Sequence, residues 1–482
     1  MSTTKETTKR KVTIVQGIVL LLMVIGVIIV CARVNANGTV AMGLTWVIIY
    51  LFCTLLKFDY NQVQSAAFDA IRRCMSGVLI LIGVGMLIGA WIAGGTIPTL
   101  IYYGLSIISP KVFLLCCLLL TSIMSVCTGT SYGSAASAGV AMMGIGLSMG
   151  VPAGMIAGAI LCGATFGDKI SPMSDTTNVC PALCGGTLFA HIRTQLYTTV
   201  PAYLICIIIF TVMGFNYSVS GIYDNSTVQA TMAACAENFV ISPVCLFPLI
   251  FVVALLMIKV DTIPAIMLGG VSGGVLSVLI QGHDVVSTML NMWSGYSIAS
   301  GNEIVDKLMN RGGIASMCSP VVMMIFAVGM GAMLEEMGVL DVFLKAIINK
   351  LSSVFRLIGA TMIVSYIASA LTAAMTSANV ITGKLMSPLF REKGLAPEVC
   401  SRTMEDTATI GGVLMPWHSN VAYYSGVLGA TWVQFAPFCV FSYVVPIFSL
   451  ICAATGIGIF YVDKEGNRIS KEEWQRIYPN SK

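Results

Sequence analysis

The chain has 482 residues, of which 57% are hydrophobic and 10% charged. Soluble domains carry roughly 25% charged residues, so the composition excludes a water-soluble globular protein. The net charge of +4 is small, and no basic patch with interleaved aromatics is present, which excludes a nucleic-acid binder.

The N-terminus places Lys9, Arg10 and Lys11 before an apolar run from Thr13 to Ala32. That run is longer than a signal-peptide core and lacks a clear small-residue cleavage site, so it is expected to be a first spanning helix. Gly38–Leu56, Cys74–Pro110, Asn238–Ile258, Gly312–Leu334, Leu357–Gly383 and Thr407–Val462 are also free of Asp, Glu, Lys and Arg. A spanning helix needs about 20 such residues. The expected fold is all-α, a polytopic membrane protein with about 12–14 transmembrane segments. Cys116, Cys117, Cys127 and Cys162 lie inside apolar runs and read as buried thiols packing as small hydrophobes.

Shifting the sequence by 244 positions aligns 84–172 with 328–416 without a gap and gives sixteen identities in 89 positions. Helix breakers fall on helix breakers: Gly94 on Gly338, Gly139 on Gly383, Gly150 on Gly394, Gly167 on Gly411, and Pro172 on Pro416. Lys and Arg accumulate in cytoplasmic loops. Residues 149–151 carry no charge where the matching region has Arg391, Lys393 and Arg402; residues 95–112 carry Lys111 alone where the match has Lys345, Lys350 and Arg356. The copies are therefore expected to be inverted, two five-segment repeats with interrupted helices or re-entrant hairpins, and both termini cytoplasmic. The division is 1–73, N-terminal helices and an amphipathic linker; 74–215, first repeat; 216–311, connecting helices and linker; 312–462, second repeat; and 463–482, a mixed-charge cytoplasmic tail. Inverted repeats with broken helices are the architecture of secondary transporters, with the site near the midplane.

Within the copies, 125–139 and 369–383 are crowded with Gly, Ser, Thr and Ala. Close helix packing accounts for most of these residues. A break lining a polar cavity is the sharper reading, with Ser131, Ser134, Ser377 and Asn379 as contributing ligands. In "GATFGDKISPMSDTTN" (163–178), Gly163, Gly167 and Pro172 are expected to break the helix. Asp168, Ser171, Asp175, Thr176, Thr177 and Asn178 follow, an oxygen-rich set suited to a small hard cation. An acid within the membrane costs about 2.5–3.5 kcal/mol on insertion scales and marks a functional site. Asp175 is the first choice for the exchanging acid and Asp168 the second, the latter paired with Lys169; a solvated cytoplasmic loop is the bland alternative. The second copy supplies Glu405 and Asp406 before its break, with Thr409, and His418, Ser419 and Asn420 after Pro416. For Asp406 an exposed ion pair with Arg402 is the competing reading. His418 is expected to be neutral and to donate a hydrogen bond. Glu335, beside Glu336 at the end of an apolar run, is either solvated at the interface or part of a cation funnel.

"GDKISPMSDTTN" resembles the signature of the NhaC family of sodium/proton antiporters, within the wider ion-transporter superfamily. "SRTMEDTATIGGVLMPWHSN" (401–420) and "GMGAMLEEMGVL" (329–340) are similar to other segments of that family. The resemblance implies exchange of Na⁺ for H⁺ across the cell membrane, with Na⁺ held at Asp175 and Asp168. Some relatives exchange organic acids or amino acids with these ions, including malate/lactate exchangers, which makes a small carboxylate or amino acid the alternative substrate. The lipid bilayer is the surrounding partner, no cofactor is implied, and a homodimer is left open. A channel fits alternating access poorly. No nucleophile triad, phosphate loop or metal cluster points to an enzyme.

Overall fold

The computed structural model describes residues 12–33, 38–219, 225–339 and 353–479. Lys9, Arg10, Lys11, Lys345 and Lys350 lie outside these residues. The described chain is almost wholly helical. Its first half contains α1 (Ile14–Arg33), α2 (Gly38–Leu56), α3 (Tyr60–Ala93), α4 (Thr96–Ile107), α5 (Pro110–Thr128), α6 (Ser131–Ser134), α7 (Val140–Ser148), α8 (Ala153–Ile170), α9 (Asp175–Cys184) and α10 (Leu188–Val219). Then come α11 (Asn225–Asn238), α12 (Phe247–Met257), α13 (Thr262–Leu279), α14 (Val285–Ser294), α15 (Glu303–Met309) and α16 (Cys318–Glu336). The second half adds α17 (Val354–Thr372), α18 (Met375–Glu392), α19 (Pro397–Met404), α20 (Ser419–Leu428), α21 (Trp432–Phe435), α22 (Val440–Thr455) and α23 (Lys471–Ile477).

Among the described residues, eight helices are long and apolar enough to cross a membrane, or up to ten when two bent pairs each count as one span. That is fewer than the expected 12–14. The reason is that α9 and α20 are ten-residue pieces starting at breaks, α6 and α7 form one polar-ended helix through a π turn at Ala135–Gly139, and the 18-residue α18 carries Lys384, Arg391 and Glu392. The boundary set at 73/74 falls inside α3, one continuous helix of 34 residues.

The breaks recur at the 244-residue offset. Helix α5 ends at Gly129 (φ 68°) and α17 at Ala373 (φ 51°), both left-handed, and each is followed by an extended residue, Thr130 or Ala374. Ser174 caps α9 and His418 caps α20; Gly185 and Gly429 end those helices in the left-handed region. Ser125 donates to the Ala164 carbonyl, and Ser369 donates to that of Ala408 at the matched position. The small-residue stretches at 125–139 and 369–383 are thus interrupted helices as well as packing surfaces.

Gly163 and Gly167 do not break their helix. Helix α8 runs through both and stops only at Ser171–Pro172. A Cβ at Gly163 would meet the Leu118 carbonyl and at Gly167 the Ser122 carbonyl, so these glycines let α8 press against the backbone of α5. Overpacking costs about 1–3 kcal/mol even where side chains can give. Here the obstruction is backbone. Gly167→Val is therefore expected to lower the melting temperature and the monodisperse yield on gel filtration, whereas a substitution at Gly26, which has open space around it, leaves both unchanged.

The C-terminal stretch is not a free tail. Strands β1 (Tyr461–Val462) and β2 (Arg468–Ile469) pair antiparallel, and α23 follows. The Ala396 amide donates to the Phe460 carbonyl, the Val462 amide to that of Gly394, and Trp474 Nε1 to that of Lys393. Arg468 pairs with Glu398 and lies over the Phe460 ring. This small unit grips the turn before α19, the helix that carries the second copy's charged residues.

Candidate cation site at the helix breaks

Four interrupted helices begin at one cavity of about 1050 Å³. Ser131 and Tyr132 of α6, Asp175 and Thr176 of α9, Met375 to Ser377 of α18, and Ser419 and Asn420 of α20 all line it. These starts pair at the 244-residue offset, α6 with α18 and α9 with α20. Each helix N-terminus carries the equivalent of roughly half a positive charge. Gly163 and Thr407, by contrast, lie inside α8 and inside a π-helical turn (Glu405–Thr409).

Asp168 reaches the cavity from the last turn of α8 and is only 8% exposed. Its Oδ2 accepts a 2.7 Å hydrogen bond from Ser131 Oγ. Among the described residues it forms no ion pair with a Lys or Arg. Its neighbour Lys169 does not pair with it, because successive helical residues point about 100° apart. Lys169 Nζ instead lies 2.8 Å from Asp406 Oδ1, with both side chains fully buried. Asp406 also accepts from Thr198 Oγ1 at 2.9 Å, and Arg402 Nε stands 3.8 Å from Asp406 Oδ2. The Arg402–Asp406 contact is therefore buried, not exposed, and Lys169 is the closer cation. Arg402 is held from its other end by the Gly458 carbonyl at 2.8 Å.

The remaining expected residues divide into two groups. Asp175, Thr176, Ser377, Ser419, Asn420 and Glu335 line the cavity; Asp175 and Glu335 are exposed there. Asn420 Oδ1 accepts from the Tyr132 hydroxyl at 2.8 Å. The others serve the backbone around the breaks. Ser171 Oγ donates to the Val126 carbonyl, Thr177 Oγ1 to those of Asp168 and Lys169, and Asn178 Nδ2 to those of Pro172 and Ser174. Ser134 Oγ donates to the Thr130 carbonyl, and Asn379 Nδ2 donates to Thr409 Oγ1. His418 Nδ1 accepts the Asn420 amide, so the ring proton sits on Nε2, which meets no acceptor among the described residues; the histidine caps α20 instead of donating the hydrogen bond expected of it.

Several residues escaped the sequence reading. Tyr132 stacks on Tyr423 at 3.8 Å between centroids and walls the cavity beside Asp168. His191, Gln195 and Thr198 form a buried polar stripe on α10. Their spacing of four and three was the signal available, since it places them on one helical face.

The Na⁺/H⁺ antiporter family model matches residues 163–457, more than half of the chain. The malate-2H⁺/Na⁺-lactate antiporter of Bacillus subtilis is 38% identical over 433 residues, covering 90% of this chain and 92% of the relative. The Na⁺/H⁺ antiporter NhaC of Alkalihalophilus pseudofirmus is 36% identical over 410 residues, 85% of this chain and 88% of the relative. The arginine/ornithine antiporter ArcD of Halobacterium salinarum is 29% identical over 432 residues, 88% of each. Matched in this way across its breaks and its buried acids, the chain is a multi-pass membrane protein of the Na⁺/H⁺ antiporter family, the NhaC group that its "GDKISPMSDTTN" segment resembles.

Proposed function

We propose that the chain exchanges Na⁺ for H⁺ across the cell membrane by alternating access, with both ions competing for Asp168. The observation that carries this is a buried carboxylate at a cavity, hydrogen-bonded by Ser131 and without an ion-paired Lys or Arg among the described residues. Such a group is neutralised either by a proton or by a small cation. Ser131 and the backbone at Thr128–Thr130, which line the same cavity, supply the hard oxygen ligands that Na⁺ prefers. Asp175, at the open side, is assigned to attracting the ion. Asp406 is assigned to its buried ion pairs, and Ser171, Thr177, Asn178, Ser134 and Thr409 to holding the breaks.

The movement follows from two inverted repeats, 74–215 and 312–462, joined by 216–311 and preceded by 1–73, with both termini cytoplasmic. The matched caps and breaks at the 244-residue offset support the repetition. The charge asymmetry of their loops supports the inversion.

A second reading, exchange of a small carboxylate or amino acid with these ions, is favoured by one feature. The cavity is far larger than an ion, and four helix N-termini together with Arg73, Lys259 and Lys384 face it. Such ends favour a carboxylate. The deciding measurement is ²²Na⁺ uptake into proteoliposomes under an imposed pH gradient, with and without a panel of small acids and amino acids. Uptake driven by the gradient alone supports simple antiport. Uptake that requires a solute supports the second reading, and uptake indifferent to the gradient removes both.

A further inference from the structure

The α10–α19 contact holds ionisable groups that the Asp168 site does not use. His191 Nδ1 lies 2.7 Å from Ser401 Oγ, and its Nε2 lies 3.1 Å from Glu405 Oε2 and 2.6 Å from the Gln195 amide nitrogen. All four side chains are completely buried. Glu405 Oε1 and Gln195 Oε1 have no partner among the described residues. Around Glu405 stand Asp168 and Lys169 from α8, Cys180 from α9, and Arg402 and Asp406 on its own helix; Tyr366 of α17 and Cys452 of α22 face the Asp406 side.

We infer that His191 and Glu405 form a second proton-holding site, distinct from the Asp168 carboxylate. The hydrogen-bond pattern closes in two states that differ by one proton. In the first, the Ser401 hydroxyl donates to Nδ1 and Nε2–H donates to Glu405, so the imidazole is neutral. In the second, the added proton sits on Nδ1 and donates to Ser401 Oγ, whose own hydrogen turns to the Glu398 carbonyl 3.4 Å away. Nε2–H still donates to Glu405, now as imidazolium to carboxylate. In both, the Gln195 amide turns its oxygen toward Nε2–H. No heavy atom other than that amide moves. The Glu398 carboxylate pairs with the half-exposed Arg468, which places the Ser401 end of the site one short step from the surface.

Charge counting couples this site to the cation. With Glu398 neutralised by Arg468, the buried side chains Lys169 and Arg402 oppose Asp168, Glu405 and Asp406, an excess of one negative charge. One Na⁺ at Asp168 or one proton at His191–Glu405 balances it; both together overshoot. The two sites therefore exclude each other electrostatically while remaining apart in space.

This inference rests on the Na⁺/H⁺ reading and is tested beside it. Na⁺-driven proton movement in proteoliposomes is measured from acidic to alkaline pH for Glu405→Gln, His191→Gln and Asp168→Asn. Losing the carboxylate or the imidazole lowers the pair's hold on a proton, so both of the first two variants should move the half-maximal pH down by about one unit. Their half-saturating Na⁺ at the new optimum should stay within about threefold. Should Glu405→Gln not fold, Ser401→Ala supplies the same readout. Profiles superimposable on that of the unaltered protein, with exchange lost in Asp168→Asn, overturn this site alone. Exchange that survives in Asp168→Asn overturns the Asp168 assignment instead.

Discussion

Asp168→Asn is expected to reduce Na⁺/H⁺ exchange on the order of 100-fold, the equivalent of about 2.8 kcal/mol in ion binding. Asparagine keeps the shape of the side chain and can still meet Ser131 Oγ, so the packing around Tyr132 and Asn420 is preserved. What disappears is the negative charge that a cation or a proton must neutralise. Asp175→Asn, by contrast, removes an exposed charge at the cavity mouth and should raise the half-saturating Na⁺ severalfold without abolishing exchange. The sign of the pH dependence follows from competition. Na⁺ binds the ionised carboxylate, so below its titration point each unit of acidification should raise the half-saturating Na⁺ about tenfold. Dequenching of a pH-sensitive dye in proteoliposomes reads all of these, and an Asp168→Asn protein with an unaltered Na⁺ response would sink the assignment.

Lys169→Met should be the most destabilising of the charge changes. It leaves Asp406 fully buried, with Thr198 as its remaining hydrogen-bond donor and Arg402 3.8 Å away. Breaking a buried pair from one side costs about 3–5 kcal/mol, because the abandoned charge stays desolvated. The double variant Lys169→Met/Asp406→Asn removes both members and should recover most of that loss. A double-mutant cycle on thermal unfolding in detergent measures the coupling. An unchanged melting temperature in the single variant would mean that the pair is not the lock between α8 and the 402–406 turn that its geometry describes.

The two halves meet through this lock. Asp168 and Lys169 are adjacent in sequence, yet one opens onto the cavity and the other enters the second copy's charge cluster. Asp168, proposed above to hold the ions, thus stands one residue away from the contact between α8 and the 402–406 turn. From there Arg402 continues to the Gly458 carbonyl and the C-terminal hairpin, so the small unit at the chain's end bears on the same helix.

Membrane residence, helical class and the 244-residue offset at which helix breaks recur were legible in the sequence. Each depends on local chemistry: long uncharged runs and recurring helix breakers. Which acid faces the cavity was not legible. Asp168 and Asp175 differ little in composition around them, and only the direction of the α8 terminus buries one and exposes the other. Pairing was equally hidden: Lys169 prefers an acid 237 positions away to its neighbour, because side-chain direction on a helix outweighs sequence distance. Gly163 and Gly167 read as breakers, but they serve a close crossing, and glycine's two roles become distinct only when a second backbone is present. His191 met Glu405 for the same reason. The sequence alone thus determined what kind of molecule this is and where its costly groups lie along the chain; the tertiary structure decided which of them touch, since partnership between buried charges is set by how the helices cross.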